Sequence, residues 1–251
     1  TPNWLGAHGI PALGENAASN AIRYGVPDVL GVDRAHYTDK SVLVVGGGHS
    51  AFNALQDLVR LSEQSAGMQV HWAVRSEPVT NVVRSPANDE LQERRALEVH
   101  IQALLEQGRI HVHTGIEVDT ISQDGNRLIV HSNGKSLPPV DRIIAATGFR
   151  PDLSVLSELR TTIDPATQSP TRLAPLIDPN MHSCGSVPEH GAAELSHPES
   201  NLYIVGIKSY GRAPTFLLRT GYKQVLSVIS ALDSEEEPTP VQPCAAPTCP
   251  G

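Results

Sequence analysis

Hydrophobic positions become regular from Lys40 onward. Ser41–Val45 is a short β-branched apolar run, three glycines follow, and Ala51, Leu55, Leu58, Val59 and Leu61 then recur at helical spacing, which predicts strand, tight turn and helix. Residues 69–74 predict a second strand, with Val70, Trp72 and Val74 alternating against Gln69, His71 and Ala73. Ser85-Pro86 supplies a cap residue and a proline at the first helical position. Asp89 and Glu90 suit the positive end of that helix, and Leu97, Ile101, Leu104 and Leu105 form its apolar stripe, stopped by Gly108. Short strand-like pieces follow at residues 110–113, 117–122 and 127–131, with Asp124-Gly125-Asn126 as the turn of a small hairpin. Residues 141–146 predict another buried strand and 202–205 a last one. Residues 214–232 predict a closing helix, with Phe216, Leu217, Val225, Val228 and Ile229 as its contribution to the core. Residues 1–37, rich in Gly, Ala, Pro and Asn, read as a connection, and 150–200 as loop. The stretch after Asp233, with three consecutive Glu and several Pro, reads as a disordered tail.

Composition narrows the function classes. The chain has 251 residues, 39% of them apolar, which supports a packed core and one or two domains at roughly 150 residues each. With 19 Lys and Arg against 27 Asp and Glu, the net charge of −8 does not draw the chain as a whole onto nucleic acid or an anionic membrane. No run approaches the ~18 consecutive apolar residues of a membrane span, and the start lacks a signal-peptide pattern, so a cytoplasmic location is expected. The three cysteines, Cys184, Cys244 and Cys249, are too few for a disulfide scaffold.

The chemistry concentrates in Gly46-Gly47-Gly48-His49-Ser50-Ala51. This fits G-x-G-x-x-A directly after a strand and opening a helix, where the first glycine permits the turn, Gly48 lets a pyrophosphate approach the backbone and Ala51 allows close helix–strand packing. The helix N-terminus then faces the phosphates. At the end of the second strand an NAD site offers an acid to the ribose and an NADP site an arginine to the 2′-phosphate. This chain has Arg75 there, with Arg84 nine residues on, so NADPH is the expected ligand.

With those residues and Ala145-Ala146-Thr147-Gly148-Phe149-Arg150-Pro151, the sequence resembles the two-dinucleotide flavoproteins, which include the pyridine nucleotide disulfide oxidoreductases and the flavin-dependent monooxygenases. In that superfamily an Ala-Thr-Gly stretch marks the return from an inserted NADPH domain to an FAD domain. Residues 201–206 and 208–216 look like the closing strand, loop and helix of the FAD domain, and Leu30 to Tyr37 is similar to the monooxygenase linker fingerprint. The resemblance implies an α/β chain in which a Rossmann-like NAD(P)-binding domain, residues 40–140, is inserted in a partial FAD-binding domain. Residues 1–39 are then the end of its first segment, 141–232 its C-terminal segment and 233–251 a tail. It implies NADP and FAD as cofactors, with Gly46, Gly48, His49, Ser50, Ala51 and Arg75 on the nucleotide and Thr147, Gly148, Gly206, Ala213 and Thr215 on the flavin side. The helix near Pro214 would aim its positive end at the flavin pyrimidine. Two departures stand out. The first FAD glycine motif is absent, which implies a segment upstream of Thr1, and Gly206-Ile207 replaces the Gly-Asp that meets the flavin ribitol.

The implied function is hydride transfer from NADPH to flavin, then to oxygen, a disulfide or another small acceptor, with a homodimer as a further expectation and neither nucleic acid nor membrane as partner. The alternative is a non-catalytic NADP(H)-binding module. No C-x-x-C occurs, and no cysteine lies between Lys40 and Met181, which excludes the thioredoxin reductase arrangement. Cys244 and Cys249 form C-x-x-x-x-C in the tail and are candidates for shuttling electrons, against the reading of incidental thiols. Cys184 is a candidate near the flavin, as is His190. His182, Cys184, His190 and His197 fit no standard zinc spacing, so no metal is expected. His111 and His113 are read as one solvated strand face.

Overall fold

The computed structural model describes residues 1–7, 9–83, 92–182 and 187–234. The chain divides into one compact unit of residues 2–87 and 91–149 and a second of Thr1, 88–90 and 150–251. In chain order the first unit runs β1 (Ile22–Tyr24), α1 (Arg34–Tyr37), β2 (Ser41–Val45), α2 (His49–Ser62), β3 (Gln69–Ala73), α3 (Thr80–Val83), α4 (Gln92–Glu106), β4 (His111–His113), β5 (Thr120–Asp124), β6 (Arg127–Ser132), β7 (Lys135–Ser136) and β8 (Arg142–Ala145). A parallel sheet has the order β1-β8-β2-β3-β4, and β5-β6-β7 form an antiparallel sheet.

Strand β2 lies between β3 and β8, and all five of its residues are buried, as expected of a parallel strand covered on both faces. Its period of two sends Val42 and Val44 to one face and Leu43 and Val45 to the other. On the first face they join Val70, Trp72 and Ile144 under Phe52, Leu55 and Leu58 of α2 and Ile101 and Leu104 of α4. On the second, Leu43, Val45 and Ile143 meet Ile121, Leu128 and Val130 of the antiparallel sheet. The layers are therefore helices, parallel sheet, antiparallel sheet. The stripe predicted for α4 is confirmed, with Ile101 and Leu104 buried and Leu97 and Leu105 packed against the same core. Its predicted start at Ser85-Pro86 lies outside the described residues.

Three expectations are corrected. Residues 1–37 are more than a connection: Ile22, Arg23 and Tyr24 pair in parallel with Ile143, Ile144 and Ala145, a strand too short to leave a period in the sequence. The loop before it is organised by Glu15, which is fully buried. Its Oε1 accepts from the Leu5 N–H at 2.7 Å and the Tyr24 hydroxyl at 2.5 Å, and its Oε2 accepts from the N–H groups of Ala12 at 2.7 Å and Gly6 at 3.3 Å. Burial, reinforced by Glu15, holds the Tyr24 hydroxyl well above the usual tyrosine pKa. Second, the face that carries His111 and His113 is only partly solvated: His111 is exposed, but His113 is half-buried beside the buried His71 of β3. The His71 Nδ1 lies 3.2 Å from Nε2 of His113, and the His111 ring stands 5.0 Å from that of His71, so the two strand histidines form a stack with His71. Third, the hairpin at Gly125-Asn126 continues into β7 through Asn133-Gly134, where positive φ values of 48° and 77° give the primed turn that suits a two-residue loop.

The second unit contains α5 (Ala174–Ile177), α6 (Ala192–Leu195) and α7 (Leu218–Ser234) around Leu173, Leu176, Ile177, Leu195, Tyr210 and Ala213, with Phe216 and Val228 against them. The strand expected at 202–205 is reduced to one bridge between Ser196 and Tyr203. The helix expected from Pro214 begins at Leu218, and Val225 and Ile229 are exposed rather than in the core. The helical period explains this: positions 221, 224 and 228 share one face, whereas 218, 222, 225 and 229 share the other. No helix among the described residues is long and apolar enough to cross a membrane.

Removing the Glu15 carboxylate strands three buried N–H groups and a hydroxyl, so Glu15→Ala should cost about 3 kcal/mol or more in urea unfolding, and Tyr24→Phe about 1 kcal/mol. Burial, together with His113, His111 and Arg127, pushes the His71 pKa down from 6.5 to about 4. With the folded value depressed, the unfolded chain takes up the proton first, so stability present above pH 6.5 is lost as the pH falls towards 4. Unfolding measured between pH 7 and 4.5 should show a loss of about 2 kcal/mol that His71→Phe removes.

Candidate functional site

Strand β2 runs into Gly46-Gly47-Gly48, and α2 begins at His49 with Gly48 as its extended cap residue (φ −99°). Gly46 is fixed by its surroundings. Its φ is 140°, its N–H donates to the Ala73 carbonyl at 3.1 Å, its carbonyl accepts from the Trp72 indole at 2.8 Å, and a Cβ there would collide with the Ala146 carbonyl oxygen. Gly47 lies under α3, where a Cβ would come within 3.0 Å of the Val82 side chain. Gly48 differs from both: nothing lies within 4 Å of the Cβ it lacks. Among the described residues, the backbone N–H groups of Gly47, Gly48, His49 and Ser50 meet no acceptor. These four successive donors stand at the positive end of a 14-residue helix, where an anion is electrostatically favoured.

The side chains around this turn divide the work. Ala51 is fully buried in the helix–sheet core, as the motif requires. The His49 ring turns aside onto α4, with Nε2 3.2 Å from Oε1 of the buried Glu98 and its edge against Phe52, so His49 brings its backbone to the turn. Ser50 is half-buried.

Arg75 lies two residues beyond Ala73, the residue that accepts the Gly46 N–H, and so belongs to the same sheet edge as the glycine turn. It is exposed, and its guanidinium has no partner among the described residues. The segment after it is held by Glu77: its carbonyl accepts from Asn81 Nδ2 at 3.1 Å, and its carboxylate accepts from the Thr114 hydroxyl at 3.4 Å. The chain passes from β2 to β3 and β4 on one side and returns as β8 on the other. The carboxyl ends of β2 and β8 therefore flank a topological switch point, the usual ligand crevice of an open parallel sheet. Arg84 lies outside the described residues.

Thr147 and Gly148 are committed elsewhere. The Thr147 hydroxyl donates to the Asn3 carbonyl at 2.8 Å, and its carbonyl accepts from Asn3 Nδ2 at 3.1 Å. The Gly148 carbonyl accepts the Asn3 N–H at 2.9 Å, with φ of 85° at Gly148.

In the second unit, Gly206 has φ of 70° and donates its N–H to Gln224 Oε1 at 2.7 Å. The fully buried Gln224 then presents Nε2 to Ser209 Oγ at 2.9 Å and to His190 Nε2 at 3.0 Å, while His190 Nδ1 lies 2.9 Å from the Pro188 carbonyl. These neighbours assign the imidazole: Nδ1–H donates, Nε2 accepts, and the ring is neutral. Burial pushes its pKa down in the same sense. Ala213 packs in the small core. Thr215 is buried, its hydroxyl meets no partner among the described residues, and it lines a cavity of about 790 Å³ with His190, Glu194, Thr220, Lys223 and Ser227. Of Gly206, Ala213 and Thr215, Thr215 alone keeps a polar group without a partner among the described residues; the Gly206 N–H is engaged and Ile207 is exposed. Cys184, Cys244 and Cys249 lie outside the described residues. His197 Nδ1 accepts from the Thr162 N–H at 3.2 Å, apart from the His190 network. Sequence reasoning missed Trp72, Glu77, Glu98 and Gln224. None of them left a signal of its role, because each acts through partners distant in sequence.

Comparison with known proteins gives a family and a fold. Residues 23–183 match the family of pyridine nucleotide-disulphide oxidoreductases. A ferredoxin–NADP reductase of Salinispora arenicola is 30% identical over 152 residues, 61% of this chain and 40% of that protein. Among solved structures, a bacillithiol disulfide reductase from Bacillus cereus is 21% identical with a TM-score of 0.62, over 92% of this chain and 59% of that one. The FAD-bound cadaverine monooxygenase of Erwinia amylovora is 17% identical with a TM-score of 0.59, over 100% of this chain and 63% of that one. The chain spans two-fifths of its curated relative and about three-fifths of these structures, which share its fold. The matched stretch holds the glycine turn, Arg75 and the Thr147-Gly148 exit and takes in well over half the sequence: the chain belongs to the pyridine nucleotide-disulphide oxidoreductase family.

Proposed function

We propose that the first unit binds NADP(H) and that the chain is the nucleotide-binding part of a flavin-dependent oxidoreductase. The observation that carries the reading is the run of four acceptor-free N–H groups from Gly47 to Ser50 beside a Gly48 with open space before it. A dinucleotide pyrophosphate satisfies those donors and needs that space. Arg75, exposed at the neighbouring strand end, has the charge and reach for a 2′-phosphate, which favours NADPH over NADH. Val82, across Gly47, walls the turn on one side, and the Glu77 contacts keep the Arg75 loop in place. Gly47 to Ser50 and Arg75 would hold the nicotinamide dinucleotide, and together with a flavin it would supply hydride-transfer chemistry towards a small-molecule or disulfide acceptor.

A second reading has its own support. The engaged Gly206 N–H and the exposed Ile207 favour a module that binds NADP(H) and holds no flavin. A visible spectrum after incubation with FAD and gel filtration separates the two. A retained yellow colour bleached by NADPH supports the oxidoreductase, and a colourless chain supports the module.

Calorimetric titration should give NADPH at least ten times the affinity of NADH, and equal affinities would refute the arginine assignment. Arg75→Ala should weaken NADPH by about 10- to 100-fold and leave NADH within about twofold. The glycines should separate by phenotype. Gly48→Val keeps the melting temperature, because its side chain enters open space at an allowed φ, but loses at least tenfold in NADPH affinity. Gly46→Ala should cost about 3 kcal/mol in stability, because both its φ and the Ala146 carbonyl oppose a side chain.

A further inference from the structure

The two sides of the glycine turn are held by different means. On the strand side, Gly46 has both its N–H and its carbonyl engaged, by the Ala73 carbonyl and the Trp72 indole. On the helix side, no side chain caps α2, and its cap residue Gly48 meets nothing within 4 Å of the Cβ it lacks. A helix end without a side-chain cap frays readily. Two of the four acceptor-free donors, the N–H groups of His49 and Ser50, belong to that end, so their direction depends on how its first residue is held.

The His49 side chain supplies the hold. A carboxylate oxygen only accepts, so His49 Nε2–H donates to Glu98 Oε1 at 3.2 Å, from α2 across to α4. The same ring meets Phe52 edge-on at 5.6 Å between centroids, Phe52 meets Trp72 edge-on at 5.8 Å, and Trp72 binds the Gly46 carbonyl. The first helical residue is thereby tied to the strand side of the turn. Glu98 is a costly occupant for its place. It is 7% exposed, next to Ile101 on the inward face of α4, where an aliphatic side chain would pack with less desolvation. A buried pair of this kind adds little net stability over an apolar one, so what it contributes is direction. Attraction is not its role, because a carboxylate near the turn opposes a pyrophosphate.

We propose that Glu98 is a positioning residue for the nucleotide site: through His49 it sets the first turn of α2, and with it the affinity for the pyrophosphate that NADPH and NADH share. This rests on the reading of Gly47 to Ser50 as a dinucleotide site. Arg75 distinguishes the two nucleotides by the 2′-phosphate, whereas Glu98 acts on what they have in common.

Calorimetric titration of the whole chain with NADPH and with NADH tests this. Glu98→Leu, which fills the space without an acceptor, should weaken both nucleotides about 5- to 20-fold. Its melting temperature should stay within about 3 °C, because the released His49 nitrogen can reach water. Glu98→Gln, whose amide oxygen still accepts from His49, should recover most of the affinity. His49→Ala should lose as much as Glu98→Leu, and the double variant no more than either, since both cut one connection. In the unliganded chain, amide NMR relaxation should find His49 and Ser50 rigid, and more mobile in Glu98→Leu, with Leu58 in the middle of α2 unchanged. Should Glu98→Leu fail to fold, His49→Ala, at a partly exposed position, decides. Intact affinity in Glu98→Leu, no recovery with Gln, losses that multiply in the double variant, or unchanged amide order at His49 and Ser50 would overturn the proposal. A chain that binds neither nucleotide before any substitution would instead refute the reading of the site, and the proposal with it.

Discussion

A central parallel strand has no solvent side, and much in the first unit follows from that constraint on β2. With Val42 and Val44 pressed under the helices and Leu43 and Val45 onto the antiparallel sheet, the chain cannot drift as it leaves the strand. It must turn at once, beneath the carbonyl of Ala146 and beside that of Ala73, and only glycine accepts the backbone angle this demands at position 46. The Trp72 indole closes the arrangement. Buried in the helix-side core, it needs an acceptor, and the Gly46 carbonyl is the one it finds. The turn is thus held from three strands, and α2 starts where it does because the turn leaves no alternative.

That rigidity gives the binding reading its force. Unsatisfied N–H groups at a frayed helix end are filled by water at little cost. Donors pre-arranged by a turn that cannot relax are organised for an anion before it arrives, so less ordering is lost on binding. The motif's other positions serve this scaffold. Ala51 lets the helix approach the sheet, and His49 braces the helix against α4 through Glu98.

The sequence made the βαβ core readable because its signals are local: a β-branched run, a glycine triplet, helical stripes. β1 was hidden, since three residues have no period and their strand exists only through pairing with β8, more than a hundred positions away. β7 was in plain view as Asn133-Gly134, a strong hairpin signal. The face of α7 was misjudged for a different reason: apolar residues in the window lie on two sides of the helix, and composition does not say which side meets the core. Glu15 and Gln224 show the limit most clearly. A buried carboxylate bonded to three N–H groups and a hydroxyl, and a buried amide linking Gly206, Ser209 and His190, are network properties that no residue announces alone.

The three hydrogen bonds between Asn3 and the Thr147-Gly148 pair place the entrance and the exit of the first unit side by side. A folded body whose two ends meet makes almost no geometric demand on whatever polypeptide surrounds it, because a host loop need open by only the width of one strand pair to admit it. Such a body is portable.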